Sequence, residues 1–169
     1  NNRSIPSFLA ESLRVLLDHK QSEGLFRLSG VQRVVRQGIF DLNQGKKNVF
    51  QNMDEHSVAG ILKQFFRDLP EPLLTWNLYD DFASAARLTA DEPMQISKII
   101  EAIEKLPRAN RIVLLYLLQA LSDIAACEHT NKMGARNLAI VFGPNLLQSR
   151  ALITSTSSSQ LSDSLSAVK

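Results

Sequence analysis

Arg27 stands in Glu23-Gly24-Leu25-Phe26-Arg27-Leu28-Ser29-Gly30, a short stretch with a glycine towards either end. Leu25 and Phe26 can anchor such a loop in a core while Arg27 points outward, and Gly24 and Gly30 let the backbone turn tightly. A guanidinium presented this way carries a permanent charge on a planar fork and can reach into another protein's active site. A loop arginine is ordinarily a solvated surface charge; the flanking pattern sets this one apart.

Two further segments carry polar groups at suggestive spacing. Lys63 and Arg67 lie four apart on one helical face, turned away from Val58, Ile61 and Phe65. Like charges at that spacing repel by roughly 0.2–0.5 kcal/mol, so the pair suits an anionic partner as well as a solvated face. Asn137 shares a helical face with Met133, Ile140 and Val141, which predicts burial. A buried amide needs partners on both its oxygen and its nitrogen, or costs ~1–3 kcal/mol, so bracing a loop competes with touching a partner. Asn145 follows Gly143-Pro144, where a side chain can face outward or cap a turn.

Other chemistries lack their residues. His19, His56 and His129 fall on separate segments without ligand spacing, so no metal site is expected. No G-x-x-x-x-G-K-[ST] loop occurs, and the chain itself is not expected to bind GTP. No serine sits in a nucleophile elbow. Lys46-Lys47 reads as a solvated pair and Trp76 as packing for the proline turn beside it.

The elements that position these residues all read as helices. Phe8, Leu9, Leu13, Leu16 and Leu17 make a first stripe after Pro6-Ser7. Val31, Val34, Val35, Ile39 and Leu42 make a second, ended by Asn43-Gln44-Gly45. Val58, Ile61, Leu62, Phe65 and Phe66 make a third, with Asp54 as N-cap and Pro70 and Pro72 as its stop. Leu78, Phe82 and Ala85 suggest a fourth. Ile96, Ile99, Ile100 and Ile103 suggest a fifth, with Pro93 in its first turn and Pro107 beyond its end. Residues 108 to 126 are apolar nearly all round and predict the central, most buried helix. Residues 132 to 142 form a seventh, closed by Gly143-Pro144. No alternating strand pattern and no repeat appears, so the class is all-α.

At 169 residues, 44% hydrophobic and 21% charged, the chain suits one globular domain with a core of its own. A net charge of +2 is too small to indicate nucleic acid, although a pI of 8.8 suits an acidic protein or membrane surface. No clustered polybasic run or amphipathic basic helix stands out to support a membrane adaptor. One cysteine, Cys127, excludes an internal disulfide and fits a reducing compartment; its place at the end of an apolar run predicts a buried thiol. No span is apolar enough to cross a bilayer. Opening on Asn1 rather than methionine, the chain is expected to be one domain of a larger protein. Residues 149–169 hold eight serines and read as a linker, with Leu161, Leu165 and Val168 at the spacing of a weak terminal helix.

The three motifs, with Leu62-Lys63-Gln64-Phe65-Phe66-Arg67-Asp68-Leu69-Pro70-Glu71-Pro72-Leu73 and Asn137-Leu138-Ala139-Ile140-Val141-Phe142-Gly143-Pro144-Asn145-Leu146 in full, resemble the Rho GTPase-activating protein (RhoGAP) domain. The resemblance runs in order from about Ile5 to Gln148. It implies a single compact helical domain of about seven to nine helices over residues 1–148, closed in that family by a helix near the chain's end. It implies that Arg27 is an arginine finger supplied in trans to a Rho-family small GTPase of the Rho/Rac class. It places Lys63 against the GTPase, Arg67 both in the interface and bracing the finger loop, Asn137 in loop support and Asn145 at the GTPase-facing surface. Mg²⁺ and GTP would belong to the partner, with no cofactor in this chain, and the domain would act as a monomeric activator rather than an enzyme by itself. A cytoplasmic setting follows, with recruitment to membrane left to regions outside this chain. Some members of the fold bind GTPases without stimulating them, which leaves a non-catalytic binding module as the alternative. Those members typically lack the finger arginine.

Overall fold

The computed structural model describes residues 5–150. The described residues are all-α: α1 (Ser7–Asp18), α2 (Gln32–Asn43), α3 (Glu55–Arg67), α4 (Tyr79–Ala86), α5 (Glu92–Glu104), α6 (Arg108–Ala125), α7 (Glu128–Asn131) and α8 (Ala135–Leu146), with no strand among them. None of these helices is long and apolar enough to cross a membrane. They divide between two compact units. The first joins the described residues up to Leu73 with Pro107–Leu146 and so holds α1–α3 and α6–α8; the second, Leu74–Leu106 and the described residues from Leu147, holds α4 and α5. The terminal helix expected around Leu161, Leu165 and Val168 lies outside the described residues.

α3 is the core of the first unit. Asp54 caps it, its carboxylate accepting from the Ser57 N–H at 2.8 Å and from the Ser57 hydroxyl at 2.7 Å. Glu55 in the first turn and Arg67 in the last complement the helix dipole. Val58, Ile61, Leu62 and Phe66 are buried, each worth ~1.5–3 kcal/mol of transfer from water. α1, α2 and α8 all pack on this helix. α2 comes close because Gly38 faces it: a methyl group there would stand 2.5 Å from Ile61 Cδ1 of α3.

The structure corrects several expectations. α6 is not the most buried helix. Leu114, Leu117, Ala120, Leu121 and Ile124 face inward, whereas Leu115 and Leu118 are 52% and 43% exposed. A helix packed on one side by α1, α7 and α8 can bury only that side, whatever the composition of the other. The α5 isoleucine stripe is inward only in part: Ile99 and Ile103 are half-buried beside buried Ala102, while Ile96 and Ile100 are exposed. Gly143-Pro144 does not close the last helix, which starts later than expected and runs through Pro144 to Leu146. Pro144 sits on the exposed side of that final turn, and Asn145 donates its amide to the Val141 carbonyl at 2.8 Å. Cys127 is half-exposed rather than buried, at the start of the short helix α7.

Candidate functional site

The segment between α1 and α2 has no regular structure, but tertiary bonds hold it along its length. Gly24 and Phe26 both lie in the left-handed region, at φ 69° each. Phe26 pays ~1–3 kcal/mol for a conformation that suits glycine, an amount its burial offsets. The N–H groups of Arg27 and Leu28 both donate to the Gly24 carbonyl at 2.8 Å, closing a tight turn. This turn drives Leu25 and Phe26 into the core, fully buried, and leaves Arg27 exposed. A methyl on Gly24 would strike Leu28 Cγ at 2.7 Å, so the turn excludes alanine on space as well as on φ.

Four ties fix the loop. The Gly24 N–H donates to the Asn131 carbonyl at 2.7 Å. The Phe26 ring meets Phe142 of α8 edge to face, centroids 4.9 Å apart. The Lys63 ammonium donates to the Phe26 carbonyl at 2.6 Å. At the far end Gly30 lies against the Ser57 and His56 backbone with no room for a side chain, and Val31 N–H donates to Ser57 Oγ at 3.2 Å. The Arg27 guanidinium, next in the chain to the two Phe26 ties, has no ion-pair partner among the described residues.

Lys63 is half-buried under the loop, and burial first, then the neighbouring Arg67, pushes its pKa below 10.5. It therefore braces the loop, a role expected of Arg67. Arg67 is exposed one turn further on, bonded to Gln64 Oε1 and 3.5 Å from Asp68 Oδ1. Asn137 is half-buried, not buried: Ile140 on its side of α8 is 66% exposed. α8 presents that flank outward because Leu138, Phe142 and Leu146 take the inner one. The Asn137 amide donates at 2.9 Å to the carbonyl of Lys132, the left-handed residue that ends α7. This supports the residue next to Asn131 and so reaches the loop at one remove. Asn145 is half-buried and bonds within its own helix.

A groove of about 670 Å³ runs along the other flank of α3, floored by Phe8, Ile39, Leu42 and Phe65, and none of the five candidate residues lines it. The candidate chemistry thus sits on an exposed loop and helix face rather than in a cleft.

Residues 6–151 match the RhoGAP domain profile. The chain belongs to the RhoGAP family. This RhoGAP domain is 38% identical over 152 residues to Rho GTPase-activating protein gacJJ of Dictyostelium discoideum, covering 88% of this chain and 17% of that protein. It is 40% identical over 128 residues to Rho GTPase-activating protein 22 of Mus musculus, covering 75% of this chain and 18% of that protein. The domain thus spans less than a fifth of these relatives. Its fold matches the crystal structure of human Rho GTPase activating protein 15 at a TM-score of 0.81 and 32% identity, over 86% of this chain and 71% of that one.

Two residues that position the loop carrying Arg27 were missed in the sequence. Asn131 is fully buried; its amide donates to the Lys20 and Ile124 carbonyls at 2.7 Å each, and its Oδ1 accepts from Met133 N–H at 2.7 Å. It ties the end of α1, α6 and the α7–α8 link to the loop. A single asparagine in His129-Thr130-Asn131-Lys132-Met133 gives no periodic signal of this. Ser57 was legible in part, since a serine three after an N-cap aspartate can take the cap bond.

Proposed function

We propose that this domain binds the GTP-bound form of a Rho-family small GTPase and accelerates GTP hydrolysis by inserting Arg27 as an arginine finger. What supports this most directly is the exposed, ion-pair-free guanidinium on a loop tied to the core at four points. In phosphoryl transfer, charge spreads over the γ-phosphate oxygens and the leaving oxygen, and a fixed cation placed there stabilises the transition state more than the ground state. Arginine fingers contribute ~10³–10⁵ in rate. A loop ordered before the encounter loses little entropy on docking, which leaves more of the contact energy for the transition state.

The division of labour follows. The GTPase brings GTP, Mg²⁺ and the residue that orients the attacking water; this domain brings charge and a rigid surface, and is an activator rather than an enzyme by itself. Lys63 holds the carbonyl beside the finger, Arg67 and Asn145 meet the partner's surface, and Asn137 steadies the α7–α8 link. The setting is cytoplasmic. The test is single-turnover GTP hydrolysis by Rho, Rac and Ras proteins with the domain added. Acceleration of a Rho-class member and not of Ras is expected. No acceleration of any of them sinks the proposal.

A further inference from the structure

α2 carries a second basic surface, separate from the residues assigned to GTP hydrolysis. Its inner face is Val35 and Gly38, flanked by half-buried Ile39 and Leu42. Its outer face presents Arg33, Arg36 and Phe40, at i, i+3 and i+7, all exposed, with Phe40 at 56%. Neither arginine has an ion-pair partner among the described residues. The carboxylate of this helix, Asp41, is occupied: Lys46 Nζ donates to it at 2.7 Å and Gln37 Nε2 at 2.9 Å. Lys47, the next residue, is exposed and carries no ion pair. Asp41 thus cancels Lys46, and Arg33 and Arg36 remain as net positive charge on the face that carries the protruding Phe40 ring, with Lys47 beyond the helix end beside the groove. Glu11 and Asp68 line the same groove as Lys46 and Lys47, and Asp68 is already engaged by Arg67 and Gln64.

We propose that this face docks on an anionic phospholipid surface, with Arg33 and Arg36 on the headgroups and the Phe40 ring in the interfacial layer. Two observations select a bilayer. The charge around Phe40 is uncompensated and of one sign, which complements an anionic leaflet. Phe40 stands out from a convex helix face; a bilayer interface yields to such a ring and lets the long basic stems spread around it, whereas a folded partner would need a pocket shaped for it. Each cation near such a surface contributes about fivefold in partitioning, or ~1 kcal/mol, so two give about 25-fold. This is a weak anchor that helps to orient the domain on a surface rather than to hold it there alone.

The experiment is co-sedimentation of the 169-residue chain with phosphatidylcholine vesicles containing or lacking phosphatidylserine, alongside GTP hydrolysis in vesicle-free solution. Binding is expected to the phosphatidylserine vesicles alone and to fall with added salt. Arg33→Ala or Arg36→Ala should each lower it about fivefold, and Phe40→Ser should weaken it further. Arg33→Lys with Arg36→Lys should keep it, and all variants should keep stimulated hydrolysis in solution. Arg87→Glu with Lys98→Glu, on exposed positions of the second unit, matches the charge change of Arg33→Glu with Arg36→Glu and should leave binding intact. The proposal fails if phosphatidylserine makes no difference, or if the Arg87/Lys98 pair matters as much, which would mean net charge rather than this face. It also fails if the α2 variants lose hydrolysis in solution while vesicle binding is unchanged, which would assign the face to the GTPase. The vesicle arm reads out whether or not hydrolysis is stimulated, so its failure is distinguishable from failure of the activator proposal.

Discussion

Residues 23–30 form no helix, yet Leu25 and Phe26 among them are fully buried, whereas α6 is regular over eighteen residues and leaves Leu115 and Leu118 substantially exposed. The loop is short of internal backbone bonds and is held instead by Asn131, Lys63, Phe142 and Ser57, contributed by three helices, α7, α3 and α8. α6 satisfies its own backbone and needs neighbours along one stripe only. Local regularity and tertiary fixation are therefore separate properties. A functional loop can be the better-fixed of two segments when distant residues supply the partners its own backbone lacks.

The largest effect should come from Arg27, whose side chain is exposed and has no ion-pair partner among the described residues. Arg27→Ala is expected to lower GTPase-stimulated hydrolysis by ~10³–10⁵ with little change in equilibrium binding of the GTP-bound partner. Arg27→Lys should rescue poorly, because an ammonium lacks the planar fork. Single-turnover rates beside a pull-down decide it; near-full stimulation by Arg27→Ala would make the domain a binding module that kept the motif.

On α6 the contrast can be read between adjacent residues. Leu117→Ala, at a site with 0% exposure, should cost ~2–5 kcal/mol, and Leu118→Ala, 43% exposed, within about 0.5 kcal/mol of nothing. Urea denaturation of both variants is the measurement. Equal losses would mean that the outer stripe of α6 is packed after all.

Lys63→Met tests whether the loop depends on its remote ties. It keeps much of the half-buried stem and removes the donor to the Phe26 carbonyl, a charge-assisted bond worth ~1.5–3 kcal/mol. If Lys63 works through the loop, stimulated hydrolysis should fall by roughly 10–100-fold while partner binding falls less. A change in binding alone would return Lys63 to the role of a surface contact.

The smallest effect is at the base of the loop, where Asp54 holds Ser57. The Ser57 hydroxyl bond and then the Ser57 N–H bond, against the cost of burial, keep the Asp54 pKa below 3.8 in the folded state. Its contribution, about 1 kcal/mol for an N-cap, is therefore complete above pH 3.8 and lost as pH falls through the lower folded value. Asp54→Ala should lose that amount at neutral pH and show a correspondingly shallower acid limb in a pH series of thermal melts. An unchanged acid limb would detach the cap from the loop's stability.

Much of this was legible in the residues. Stripes at helical spacing located α1 to α5 closely and an apolar run located α6, because helical patterning is a local property of the chain. Asp54 was readable as a cap, and the Glu23-Gly24-Leu25-Phe26-Arg27 pattern as a loop with an inward and an outward residue. What stayed hidden was every feature that depends on a residue far away in sequence. Which stripe of α6 or α5 lies inward depends on where other helices pack, so apolar composition alone overstated both. Asn137 looked buried and is not, because Leu138, Phe142 and Leu146 claimed the inner flank of α8. Asn131 looked ordinary and is fully buried, since its partners Lys20 and Gly24 come from the α1–α2 segment and Ile124 from α6. Lys63 and Arg67 were recognisable as a cationic pair, but only folding decided that the half-buried member reaches the Phe26 carbonyl. By itself the sequence determined the helices, the caps and the residue types at the site, all set by interactions within a few positions. The tertiary structure decided which face is inside and what holds Arg27 in place, because burial and long-range hydrogen bonds exist only once distant segments meet.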